Sequence, residues 1–318
     1  MVCTPQPDFY CGEDYIRAAS MLEPDGVLRV FRFGRAVVPL IAKPLPKECG
    51  PGFDAISPYD FCGPRLNGEA ADRVWPALCA WASEQGILAA FFRFHPFHGE
   101  PEAWHGFDGL EIAQSAQNVV IELNDADTML SACKSTVPRD LKVAERAGVT
   151  CEFFPISPEG LDGFVPLYLQ TMDHLEAAEF YRFPRAFFDT LAAELRDSCV
   201  LATARRDGRV VGSSLILLDG TTAYYYLACS SDMGRKLCAM NMLVFEAACR
   251  LRKMGFEWFH LGGGSPSLLA FKERFGPGRV PYFVGRAIFD QPRYRYLTRG
   301  VQTDFFPAYR GTGRAGGG

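Results

Sequence analysis

The stretch Ala223–Gly276 limits the fold more than any other, because strand, glycine turn, helix, strand, glycine-rich loop and helix follow one another with little between them. Tyr224-Tyr225-Tyr226-Leu227 is an aromatic strand signal, and Ser230-Ser231-Asp232-Met233-Gly234 has the turn chemistry that precedes a helix. Met240, Leu243, Val244, Ala247, Ala248, Leu251 and Met254 recur at helical spacing, the stripe of a helix laid on a sheet, and Gly255 ends it. Phe256–Leu261 then reads as a strand entering Gly262-Gly263-Gly264, and Ser267–Phe275 as a short helix. On that helix Leu268, Phe271 and Phe275 form an apolar stripe with Lys272 at its edge. Such a layout can hold a ligand where the strand meets the glycines.

The rest of the chain alternates in the same way. Val27–Phe33 and Ala36–Ile41 read as a hairpin around Gly34-Arg35, Ala71–Glu84 as a helix, and Ile87–Phe94 and Asn118–Leu123 as strands. Asp54–Pro64 reads as a shaped loop rather than a strand, with turn chemistry at both prolines. Asp125–Gly148 is helical in composition, interrupted by Pro138 and closed by Gly148. Val149–Phe154 is a strand, Pro158–Arg196 two helices joined near Phe183-Pro184, Val200–Arg205 and Arg209–Leu218 a hairpin, and Tyr282–Phe289 a last strand. At 318 residues two domains are the expectation, and the repeated order predicts an α/β (α+β) fold of two similar units split near Gly148. The glycine-rich end from Gly311 reads as a flexible tail.

Bulk chemistry removes several functions. A net charge of -4 gives no strongly basic surface, so a nucleic acid must meet a local patch. Eleven scattered cysteines without a CxxC pair point to neither a zinc ribbon nor a disulfide framework. Met1–Asp8 lacks the pattern of a leader, and no apolar run approaches a membrane span, so a soluble cytoplasmic protein is expected. His95, His98 and His105 share one loop, but their spacing fits no metal site, and loop histidines are expected to be exposed. No nucleophile elbow or paired Cys/His arrangement is visible, which argues against covalent hydrolase chemistry.

Two features carry the chemistry. Acyl-CoA N-acetyltransferases cradle a pyrophosphate on a turn written Arg/Gln-x-x-Gly-x-Gly/Ala. In the window Ser231–Ala239 Gly234 fits, the second small residue is displaced, and Asp232 brings an acid; Arg235 and Lys236 meet either phosphate or solvent. Lys272 either snorkels to water or sends its charge into a cleft where developing negative charge is stabilised.

Several segments together resemble the Fem-type aminoacyltransferases, a branch of the GNAT-like superfamily that includes the enzymes building peptidoglycan cross-bridges. They are Tyr226–Glu246, Phe256–Gly263 and above all Leu269-Ala270-Phe271-Lys272-Glu273-Arg274-Phe275-Gly276. Ser135–Val149 is similar to the helix before the family's second domain, Phe164–Phe188 to the segment after it, and Ser57–Pro64 to a loop of its N-terminal half. The resemblance implies two tandem GNAT-like domains, each a mixed sheet flanked by helices: residues 1–149, with 295–318 as a candidate to complete them, and 150–294. It implies an aminoacyl-tRNA donor, a peptide-like amine acceptor and no cofactor. Lys272 corresponds to a lysine that stabilises the charge formed when the ester carbonyl is attacked. Ser57, Tyr59, Arg139, Thr171, His174, Tyr181 and Tyr226 are then expected to bind the acceptor in a cleft between the halves, and Arg235, Lys236 and Arg274 the tRNA. The base is left open among His174, His260 and the substrate's own carboxylate. The long helical hairpin of some members has no room here, and positive charge gathers in the C-terminal half. Two alternatives stand beside this reading: an acyl-CoA-dependent N-acyltransferase, and a non-catalytic peptide- or RNA-binding module.

Overall fold

The computed structural model describes residues 9–313; the last five residues of the glycine-rich tail and the first eight residues lie outside the described part. In chain order the elements are α1 (Glu13–Ser20), β1 (Val27–Phe33), β2 (Ala36–Pro44), β3 (Phe53–Ile56), α2 (Ala71–Glu84), β4 (Ile87–Arg93) and β5 (Leu110–Glu122). Then come α3 (Ala126–Ala132), α4 (Thr136–Arg146), β6 (Thr150–Pro155), α5 (Pro158–His174), α6 (Arg185–Glu194), β7 (Cys199–Arg206) and β8 (Arg209–Asp219). The chain closes with β9 (Thr222–Ser230), α7 (Asp232–Lys236), α8 (Ala239–Lys253), β10 (Trp258–Gly262), α9 (Pro266–Lys272), β11 (Arg279–Ile288) and α10 (Gln291–Leu297).

These elements form two compact units of mixed α/β structure. The first contains Tyr10–Ala116 and residues 281–313, the second Phe9 and Gln117–Val280, so that Gly148 lies inside the second. In the first unit the strand order is β1-β2-β3-β4-β11, antiparallel except for β3 and β4. Helix α2 lays Val74, Trp75, Leu78 and Ala82 on one face of this sheet, against Phe31, Leu40, Phe92 and Ala287. Each of the larger side chains, such as Val74, Leu78, Leu40 and Phe92, contributes roughly 1.5–3 kcal/mol on burial. The opposite face holds Leu45, Leu88 and Tyr309, with Tyr294 and Leu297 of α10 against them.

In the second unit the order is β5-β10-β9-β8-β7-β6. The β10–β9 pair is parallel, and its neighbours are antiparallel. Most of the stripe expected on α8 is buried: Leu243, Val244, Ala247, Ala248 and Leu251 pack with Ile216, Ala223 and Phe259, while Met254, just past the helix end, is 50% exposed. Helices α5 and α6 share an aromatic cluster in which Phe164, Tyr168, Phe183, Phe187 and Phe188 are almost fully buried.

Four expectations need correction. Residues 53–56 are a strand, not a loop, because β3 pairs with both β2 and β4 before the prolines take effect. The helical stretch 125–148 breaks at Cys133–Ser135, where the Lys134 amide donates to the Arg274 carbonyl at 2.8 Å; Pro138 sits harmlessly in the first turn of α4, where amides lack helical partners. The apolar stripe of α9 is turned: Leu268 is 42% exposed, while Leu269 and Phe271 pack on the core with Phe275, which lies past the helix end. His95 is buried, its Nδ1 accepting from the amides of Phe97 and His98 at 3.1 Å each, with Tyr10 and Phe61 edge-on to the ring. His98 and His105 are exposed.

Candidate active site

The site is made by a pair of parallel strands that part. Strands β9 and β10 pair over Thr222–Tyr224 and Trp258–His260 and no further, although β9 runs on to Ser230. Bulges on both flanks cause the divergence. On the β8 side Leu215 faces Leu227 while Ile216 faces Tyr225, which leaves Tyr226 as the extra residue of a bulge. On the β5 side the register breaks between His260 and Gly262. Gly262 then turns the chain at φ +76°, a left-handed conformation that favours glycine.

Lys272 reaches this turn from α9. Its side chain is buried, at 6% exposure, and Nζ donates to the Gly263 carbonyl at 2.5 Å. Nζ also lies 5.9 Å from the centre of the Tyr225 ring, within range of a cation–π attraction. Gly262 is needed for its left-handed backbone rather than for room, since a Cβ there would meet Nζ at an ordinary 3.4 Å, whereas one on Gly263 would stand 2.8 Å from Asn118 Oδ1. The charge is therefore held beside the glycine turn and not snorkelled into solvent. His260 is next to it, 2% exposed, with its ring 5.3 Å from that of Tyr224. Burial first, and the Lys272 charge second, lower its pKa from 6.5 to about 3. His260 is thus a neutral imidazole at physiological pH and a poor proton acceptor.

The turn that in acyl-CoA enzymes would hold pyrophosphate is closed by its own hydrogen bonds. Ser231 caps α7, its Oγ accepting from the Gly234 amide at 3.0 Å. Gly234 is pressed on β8, where a Cβ would lie 2.0 Å from the Val211 carbonyl oxygen. The glycine is required by backbone packing, independently of any phosphate. Gly234→Ala should accordingly cost about 1–3 kcal/mol, the usual range for overpacking. Thermal unfolding followed by circular dichroism reads this directly, and an unchanged Tm would contradict the packing role.

Residues 131–273 match the acetyltransferase (GNAT) domain family. That stretch has a GNAT-like fold. The parting strands, the glycine turn and Lys272 all lie within it. Over nearly the whole chain the fold is shared with FemX, at a TM-score of 0.69 and 14% identity, covering 93% of this chain and 96% of that one. It is shared as well with the C-terminal domain of a putative lysylphosphatidylglycerol synthetase from Agrobacterium fabrum (TM-score 0.60, 17% identity, 89% and 91% covered). L-PGS from Bacillus licheniformis is similar to the same degree (TM-score 0.60, 14% identity, 92% and 95% covered). The resemblance to Fem-type aminoacyltransferases is therefore one of fold. No protein of curated function matches the sequence.

The other expected site residues fall in different places. Within the matched residues Tyr226 is at the bulge, next to the parting strands. Thr171 is a structural clip: Oγ1 donates to Leu167 O at 2.7 Å and accepts from the Ser230 amide at 3.1 Å, fastening α5 to the end of β9. His174 is exposed at the end of α5, and Tyr181 is 43% exposed with its carbonyl accepting from Tyr168. Arg139 is exposed beside Asp140, while Arg274 is paired with Asp140 and Thr136. Arg235 is tied to Asp232 and the Ser230 carbonyl, and Lys236 is exposed. Ser57 and Tyr59 belong to the first unit. Ser57 is buried, with Oγ accepting from the Arg93 amide and its carbonyl from the Arg93 side chain. The Tyr59 carbonyl accepts from the Tyr15 hydroxyl.

Asn118, 3% exposed and facing Gly263, was not expected at the site. Its signal was a polar residue at the head of the apolar run Val119-Val120-Ile121. Among the described residues no group of three His, Cys, Asp or Glu side chains is arranged to hold a metal, and no helix is long and apolar enough to cross a membrane.

Proposed function

We propose that the chain is an aminoacyltransferase that moves an amino acid from aminoacyl-tRNA to an amine of a peptide-like acceptor, a peptidoglycan precursor or a peptide natural product, forming an amide. The observation that carries this reading is the buried Lys272 ammonium at the Gly262–Gly263 turn, where β9 and β10 part. A neutral amine attacks the ester carbonyl, the new C–N bond forms, and the C–O bond to the tRNA ribose breaks. The proton leaving the amine ends on the departing oxygen. An activated ester needs no covalent intermediate, so the protein's task is positioning both partners and stabilising the oxyanion. Lys272 supplies the positive charge for that, and His260, neutral and weakly basic, lines the floor without taking the proton. The proton passes through solvent or through an acidic group of the acceptor.

The closed turn at Ser231–Gly234 supports a donor other than acyl-CoA, because the amide a pyrophosphate would use is already bound to Ser231. The match of residues 131–273 to the acetyltransferase family favours the second reading, an acyl-CoA-dependent N-acyltransferase. Incubation with charged tRNA and a panel of peptide amines tests the first reading through amide product. Saturable coenzyme A binding by calorimetry, without transfer from tRNA, supports the second. Since proteins of this fold include lysylphosphatidylglycerol synthetases, phosphatidylglycerol belongs in the acceptor panel as a control.

A further inference from the structure

The first unit carries a cavity of about 540 Å³ on the sheet face opposite α2, walled by β11, α10 and residues 303–308. It contains none of the residues to which transfer is assigned above, and it lies outside residues 131–273. Alternation along β11 turns Ala287 into the α2 core and Arg286 to this side, next to Phe91 of β4, whose ring meets that of Phe306. Arg286 Nε is buried with no acceptor among the described residues, while its Nη1 lies 3.6 Å from Glu111 at the rim. A buried guanidinium N–H without an acceptor is costly, and a carboxylate oxygen is the partner its geometry suits best. A second donor is present: the Tyr294 hydroxyl accepts from the Ala308 amide at 3.1 Å, which leaves its own proton to give. The apolar wall is Phe306, stacked on Tyr294 at 5.9 Å, together with the half-exposed Phe305. Asp108, Glu111 and Asp304 bring negative charge to the lining, and Arg295 a second positive one.

We propose that this cavity binds an α-carboxylate carried next to an aromatic or large aliphatic side chain, as in a free amino acid or the C-terminal residue of a short peptide. The carboxylate meets the accessible end of the Arg286 guanidinium and the Tyr294 hydroxyl, and the side chain lies on Phe305 and Phe306. A free amino acid places its ammonium near Glu111 and Asp304. The same acids, with the aromatic wall, disfavour a bare phosphate.

Calorimetric titration of the whole protein with phenylalanine, alanyl-phenylalanine, phenylalaninamide and inorganic phosphate tests this without any transfer reaction, so its outcome is independent of the proposed function. Saturable binding of at least one of the two carboxylates is expected, with the amide weaker by about tenfold or more, as loss of a charge-assisted pair implies. Arg286→Gln should weaken binding by about tenfold. Phe305→Ala, at a half-exposed position that does not endanger the fold, should weaken it by about fivefold. Preference for phenylalanine identifies a free amino acid as the ligand; equal or better binding of the dipeptide identifies a peptide terminus. No saturable binding of either carboxylate, an amide as good as the acid, competition by phosphate, or affinity unchanged in both variants would overturn the proposal.

Discussion

Lys272→Met is expected to slow transfer by about 100- to 1,000-fold while the protein stays folded. Methionine keeps the unbranched apolar stem of lysine, one atom shorter, and fits a site only 6% exposed, so most of the packing is kept while the ammonium is lost. The Gly263 carbonyl loses the donor now 2.5 Å away, which costs stability about 1 kcal/mol. Loss of an oxyanion-stabilising donor typically lowers turnover by two to three orders of magnitude, about 2.7–4 kcal/mol in the barrier. The effect should fall on the chemical step rather than on acceptor binding. Single-turnover rates beside a circular dichroism melt separate the two, and a folded variant with wild-type rate would remove Lys272 from the mechanism. Lys272→Arg should not rescue fully. The site is buried and Nζ already sits 2.5 Å from the Gly263 carbonyl, whereas a planar guanidinium is larger than an ammonium.

The second large effect is on stability in acid. The folded-state pKa of His260, about 3, lies below its ordinary 6.5, so between these values the unfolded chain binds a proton that the folded chain refuses. Stability therefore rises with pH across that window: this contribution is complete above about pH 6.5 and is lost progressively as pH falls towards 3. At about 1.4 kcal/mol per pH unit the full loss is roughly 5 kcal/mol. Burial is the larger cause and the Lys272 charge the second, so Lys272→Met should flatten the acid limb in part, and His260→Gln should remove this contribution altogether. Urea unfolding at a series of pH values from 4 to 7 measures it. A slope identical in wild type and His260→Gln would show that the imidazole is not held neutral.

Much of the fold was legible where a single element carries its own pattern. The β1–β2 hairpin around Gly34, the stripe of α8 and the β7–β8 hairpin around Asp207-Gly208 needed no information beyond local spacing. What was missed depends on partners distant in sequence. Residues 53–56 become a strand because β2 and β4 flank them, and residues 110–116 extend β5 although Glu111, Gln114 and Ser115 give it no apolar run. Helices α1 and α10 were missed; α1 is a single eight-residue amphipathic segment, and α10 combines a proline with charged and aromatic residues on a helix of two turns. At the site, Lys272 stood out in the sequence, but neither its buried position on the turned stripe of α9 nor its direction was readable. That depends on the left-handed turn at Gly262, which presents the Gly263 carbonyl to Nζ, and on bulges at Tyr226 and beside His260 that exist only relative to the neighbouring strands. The turn at Gly234 shows the converse case. A glycine suggestive of phosphate binding is explained by its contact with the Val211 carbonyl, which no local pattern displays.

The central claim is that the Lys272 site serves an aminoacyl ester rather than an acyl thioester. Its most direct test is one mass-spectrometric measurement on parallel reactions, with the same panel of acceptor amines offered either charged tRNA or acetyl-CoA. The account predicts an amide product carrying the tRNA's amino acid, abolished or nearly so in Lys272→Met, and no acetylated product. Acetyl transfer from coenzyme A with no transfer from charged tRNA would contradict it.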